Sequence, residues 1–136
     1  MIIYGINNNL NLEACMLGFF DLYSTLDKNT CIVAFKKKDR STRVMLCTKS
    51  LPTISAFCKI SQTDAMTCIN RTKRLENSDT GYLSVFDLEK KDGRTLNTNN
   101  ILFCLDLGNL VTEEQFSNAL DNLAKCKEEY KDKSIL

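Results

Sequence analysis

Residues 31–47 read CIVAFKKKDRSTRVMLC. Two apolar runs, Cys31 to Phe35 and Val44 to Cys47, flank a polar stretch carrying Lys36, Lys37, Lys38, Arg40 and Arg43. Neither run alternates apolar with polar residues. Short runs of this kind, rich in β-branched residues, suit strands covered on both faces, and the polar stretch between them suits a hairpin tip. Such a sheet needs helices on both sides, so this one stretch points to a layered α+β fold.

Upstream, MIIYGI (1–6) predicts a short strand that the run Asn7, Asn8, Asn9 interrupts. From Asn11 as N-cap, Leu12, Cys15, Phe19, Leu22 and Leu26 recur at three and four residues, the spacing of one helical face. Downstream, Ser50-Leu51-Pro52 has the form of a helix start. Ile54, Phe57, Ser61, Ala65, Cys68 and Ile69 then share a face, on one helix or on two broken near Ser61-Gln62-Thr63. A polar loop from Glu76 to Gly81 leads into a strand at Tyr82 to Leu88, a turn at Lys91-Asp92-Gly93-Arg94 and a strand at Ile101 to Leu107. The last two strands are expected to pair antiparallel. Thr112-Glu113-Glu114-Gln115 has capping-box form, and Phe116, Ala119, Leu120, Leu123 and Tyr130 follow at helical spacing.

The expected fold is therefore a single α+β domain spanning 1–136, with a small, mostly antiparallel sheet of about five strands between helical layers, in the order β-α-β-β-α-β-β-α. In element order it is similar to the profilin, roadblock and longin families.

Composition narrows the chemistry. The 136 residues are 43% hydrophobic and 26% charged, with a net charge of +1, so overall charge selects no partner. No apolar run approaches the roughly 20 residues needed to cross a bilayer, and the N-terminus lacks a basic and apolar leader, so no membrane insertion is expected. The seven cysteines, Cys15, Cys31, Cys47, Cys58, Cys68, Cys104 and Cys126, are odd in number and form no Cys-x-x-Cys pair. Most sit in apolar runs, as free buried thiols do. A cytoplasmic or nuclear location is expected, host cytosol included if the protein is viral.

There is no histidine. That removes Ser-His and Cys-His activation and every imidazole zinc site. No metal or cofactor is expected. The carboxylate pairs Asp87/Glu89 and Glu113/Glu114 read as strand-exit and helix N-terminal charges. Cys68 to Arg74 matches the Cys-x5-Arg spacing of cysteine phosphatases, but it holds no glycine and falls in a helical pattern. Gly5, Gly18, Gly81, Gly93 and Gly108 never cluster, so no nucleotide-binding glycine loop is present.

Charge is distributed unevenly. Residues 28–74 hold eleven lysines and arginines against Asp39 and Asp64, while both flanking segments are acidic. Lys36, Lys37, Lys38, Arg40 and Arg43 at the tip, with Arg71, Lys73 and Arg74 at a helix end, form a basic patch able to hold phosphate or an acidic protein if the fold turns them one way. No aromatic is interleaved with these cations, which argues against base stacking on the patch itself. The reading placed first is a non-enzymatic intracellular adaptor or scaffold module that binds another protein or a second copy of itself. Its self-association would use the 82–88 strand as an exposed edge, or whichever of Phe19, Phe20 and Tyr23 the core leaves outside. The alternative is a nucleic-acid or phosphate-binding domain using residues 28–74.

Overall fold

The computed structural model describes residues 2–5 and 19–130. Within them, six strands form one antiparallel sheet: β1 (Ile2–Gly5), β2 (Thr30–Lys36), β3 (Thr42–Thr48), β4 (Tyr82–Asp87), β5 (Asp92–Asn97) and β6 (Ile101–Asp106), in the spatial order β1-β6-β2-β3-β4-β5. The helices are α1 (Phe19–Leu26), α2 (Leu51–Cys58), α3 (Gln62–Lys73) and α4 (Glu113–Tyr130). The α+β class is as the sequence suggests. Asn11, Leu12 and Cys15 lie outside the described residues, and so does the tail after Tyr130.

Local signals place most boundaries. The β2–β3 hairpin pairs Cys31 with Cys47 and Lys36 with Thr42. Its tip turns through Arg40 at φ 71, and Asp39 accepts hydrogen bonds from the amide and hydroxyl of Ser41, which hold its exposed carboxyl below the usual range. Ser50 caps α2 by accepting from the Thr53 amide, with Pro52 in the first turn. Ser61 caps α3 by accepting from the Asp64 amide, so the shared face of residues 54–69 is two helices broken at Lys59–Ser61. At α4 the capping box closes in both directions: the Gln115 amide donates to Thr112 Oγ1 at 3.1 Å, and the Thr112 amide donates to Gln115 Oε1 at 3.0 Å.

Two expectations are overturned. Asp92, Gly93 and Arg94 are not a turn; they open β5, and the turn lies at 88–91. The strand at 82–88 does not pair with 101–107. β4 is bonded to β5 and β3, so it is not an edge, and β6 lies between β1 and β2. The edges are β1 and β5.

Register shows how this is possible. Asn97 pairs with Tyr82, four residues before Phe86, which pairs with Thr48. Four residues later, Ile101 pairs with Phe35, whose other partner is Arg43, five residues up β3 from Thr48. In a flat sheet those ends would lie more than about 30 Å apart, yet the link can span only roughly 14 Å. The sheet therefore curls. β3 and β4 share just two residue pairs, Cys47 with Asp87 and Thr48 with Phe86, and there the β4–β5 hairpin folds back toward the β2–β3 tip.

The curl divides the core. Its inner face joins Val33, Phe35, Met45, Leu83, Val85, Leu96 and Cys104 to Leu22 and Leu26 of α1. On the outer face Ile32, Leu46, Phe86 and Leu105 pack under Ile54 of α2, Ile69 of α3 and Phe116 and Leu123 of α4. Helical cover on both sides explains why β2 and β3 show no alternation. Among the described residues no helix is long and apolar enough to cross a membrane.

Candidate functional site: a basic cleft at the mouth of the curled sheet

Because the β4–β5 hairpin folds toward the tip, two clefts open there. The first, about 420 Å³, lies between Thr42, Arg43 and Val44 of β3, the turn residues Glu89 and Lys90, and Lys127 and Tyr130 of α4. The second, about 320 Å³, lies between Lys36, Lys37 and Lys38 of the tip and Tyr82, Asn97 and Asn100 beyond it. Lys37, Arg43 and Arg94 line both, so the clefts meet at these cations.

Arg43 is opposite Phe35 and Arg94 is opposite Val85, which puts both on the inner side of their strands. Arg43 is neutralised: its Nη2 donates to Asp87 Oδ2 at 3.1 Å. Asp87 Oδ1 accepts from the amides of Glu89 and Lys90, so this buried carboxylate shapes the turn and belongs to no acid/base pair. Glu89 pairs with Lys127, and Glu113 with Lys59. Arg94 differs, since among the described residues no acid or acceptor answers its buried Nε. Among the described residues, three buried side-chain atoms lack a hydrogen-bond partner, and two of them, Arg94 Nε and Thr42 Oγ1, belong to residues lining the first cleft. A buried donor without a partner costs about 1–3 kcal/mol, so such atoms call for a reason. Tyr130, on the same wall, has its phenol pushed up to about 12, chiefly by burial, and stays protonated at neutral pH.

The tip cations Lys36, Lys37, Lys38 and Arg43 thus share a cleft, with Arg40 on the hairpin turn beside them. Arg71, Lys73 and Arg74 do not join them. α3 lies on the outer face of the β4–β5 hairpin, where the Cys68 carbonyl meets Gly93 and the Ile69 carbonyl accepts from Ser84 Oγ. Arg71 there faces Asp92 at 3.7 Å. Arg94 takes their place in the cleft. Its position in the sequence, isolated in DGRTLN, carries no signal, because only the fold of the hairpin brings it to the tip.

Cys68 to Lys73 is helical and Arg74 caps the helix, so these amides serve the helix and form no phosphate-wrapping loop. Among the described residues no three metal-ligating side chains converge. The described cysteines are free, and all but Cys68 are buried. The thiols of Cys31 and Cys47 are raised well above the usual range, Cys31 by its hydrogen bond with Cys104 and by burial, Cys47 by burial foremost. Those of Cys58 and Cys126 are raised by burial. A thiol reagent at pH 8 should therefore modify Cys68 well before Cys31, Cys47 or Cys104, which should react only on denaturation. Peptide mapping of briefly labelled native protein checks this, and early labelling of Cys31 or Cys47 would contradict the inner core.

Compared with family models, curated proteins and solved structures, the chain matches none.

Proposed function

We propose that the protein is a non-enzymatic binding module whose partner is nucleic acid, held by its phosphates in the basic cleft. The observation that carries this reading is the junction of the two clefts. There the half-buried Arg94, its Nε without a partner among the described residues, sits with Lys37, 4.0 Å from Asp39, and with the Asp87-paired Arg43, while Lys36, Lys38 and Lys90 line the walls without ion pairs among the described residues. Crowded like charges raise the energy of the free protein, and a bound anion removes that cost. A phosphate chain also satisfies donors of the kind that Arg94 and Thr42 leave open.

Binding should be salt-dependent. Fluorescence anisotropy with labelled oligonucleotides, titrated from low ionic strength upward, should show log K falling linearly with log salt. Replacing Lys36, Lys37 and Lys38 with glutamine should flatten that slope by roughly 0.7 to 0.9 for each phosphate that then goes unneutralised. Stability should change by less than about 0.5 kcal/mol per exposed site. No salt-sensitive binding of either single strands or duplex would overturn the proposal.

A second reading, a protein-binding adaptor that pairs with itself, is favoured by one observation. Phe20 on α1 is 70% exposed while Phe19 and Tyr23 turn partly inward. An exposed aromatic of this size is a natural anchor for a protein contact. Sedimentation at micromolar concentration tests it, with Phe20→Ser shifting a dimer to monomer.

A further inference from the structure

We infer that the second cleft is a seat for one unstacked base, so that the protein prefers single-stranded nucleic acid to duplex. This rests on the reading just given and adds the chemistry of the ligand. Cations alone would not discriminate between the two forms, but this cleft is only partly cationic. Tyr82 is half-buried at its wall, and no other ring among the described residues packs on it. A partly exposed ring beside cations is what base stacking uses.

Two amides beside it have settled orientations. Asn97 Oδ1 accepts from the Asn99 amide at 3.0 Å, which turns the Asn97 amino group toward other acceptors. Asn100 Nδ2 donates to the Lys36 carbonyl at 3.4 Å, which leaves the Asn100 carbonyl oxygen as an acceptor. One donor and one acceptor at the same wall match the alternating edge of a nucleobase. The volume, about 320 Å³, lies at the lower end of the range for small-ligand sites, roughly 300 to 1,000 Å³. A base inside a duplex cannot enter without leaving its stack, whereas a single strand offers it freely. Arg94 and Lys37 line this cleft as well as the first, and the adjoining phosphate of that nucleotide is assigned to them.

The test compares three labelled probes at one low salt concentration: a ten-residue oligodeoxythymidine, a ten-base-pair duplex and inorganic polyphosphate. The single strand should bind at least about tenfold more tightly than the duplex. Tyr82→Leu should weaken single-strand binding by about 10- to 100-fold and leave duplex and polyphosphate unchanged, while Tyr82→Phe should retain it. Arg94→Gln should weaken all three probes. Thermal melts of each variant separate lost binding from lost fold, and the parent's preference for single strand over duplex keeps the test decisive should Tyr82→Leu prove unstable. Equal affinity for all three probes, or indifference to Tyr82→Leu, would overturn the base seat and leave phosphate binding standing. Failure of every probe to bind would remove both.

Discussion

Gly93→Ala should unfold this protein far more readily than its one added methyl group suggests. A Cβ on Gly93 would lie 2.2 Å from the Cys68 carbonyl oxygen and 2.9 Å from its carbon. Those are backbone atoms of α3, so no side chain can rotate aside. The helix itself would have to lift, and with it Ala65 and Ile69, which bury the outer face of the β4–β5 hairpin. Overpacking of this kind costs about 3 kcal/mol, a large fraction of the stability of a domain this size. Gly108→Ala is the control. Its φ of +80 disfavours a side chain, but nothing stands within 4 Å, so a loss of about 1–2 kcal/mol is expected. Urea denaturation should rank Gly93→Ala as the more damaging of the two. A Gly93→Ala variant as stable as the parent would mean that α3 is not seated against β5.

Lys49→Met should cost about 3–5 kcal/mol at pH 7. Lys49 Nζ, on a side chain 9% exposed, donates to Glu76 Oε2 at 3.1 Å and to the Ser84 carbonyl at 2.9 Å, and it stands 4.5 Å over the Tyr23 ring. It therefore ties together α1, the end of β3, the exit of α3 and β4. Glu76 also accepts from the Ser84 amide at 3.0 Å, so losing the lysine strands a carboxylate that the fold still holds at 13% exposure. Lys49→Met combined with Glu76→Gln, which removes the stranded charge, should recover part of the loss. Urea denaturation of the single and double variants checks this, and a double variant no more stable than Lys49→Met would show that the cost is lost packing and not an unpaired charge.

The fold reads from the sequence wherever the signal is local. Cys31 to Phe35 and Val44 to Cys47 are apolar without alternation because each strand has a core on both faces, and that pattern survives in one dimension. Ser50 with Pro52, and Thr112 with Gln115, mark helix starts because a cap is a contact between residues three apart.

The misread segments share one cause. DGRTLN resembles a turn because Gly93 is there for the sake of a carbonyl on α3, twenty-five residues away in sequence, and because only Leu96 of the strand is fully buried. Sequence proximity favours β4 as the partner of β6, whereas a three-residue link across a curled sheet delivers β6 between β1 and β2.

The candidate site divides in the same way. By itself the sequence determined the α+β class, the double cover of the central hairpin, the absence of histidine chemistry and the cationic tip, because composition and short spacings carry these. Only the tertiary structure decided that Arg71, Lys73 and Arg74 stay on the outer face, and that Arg94, Tyr82, Asn97 and Asn100 meet Lys36, Lys37 and Arg43 at one mouth. The physical reason is the curl at the two-residue junction of β3 and β4, which sets the distance between residues some fifty apart and leaves no trace in the local order of the chain.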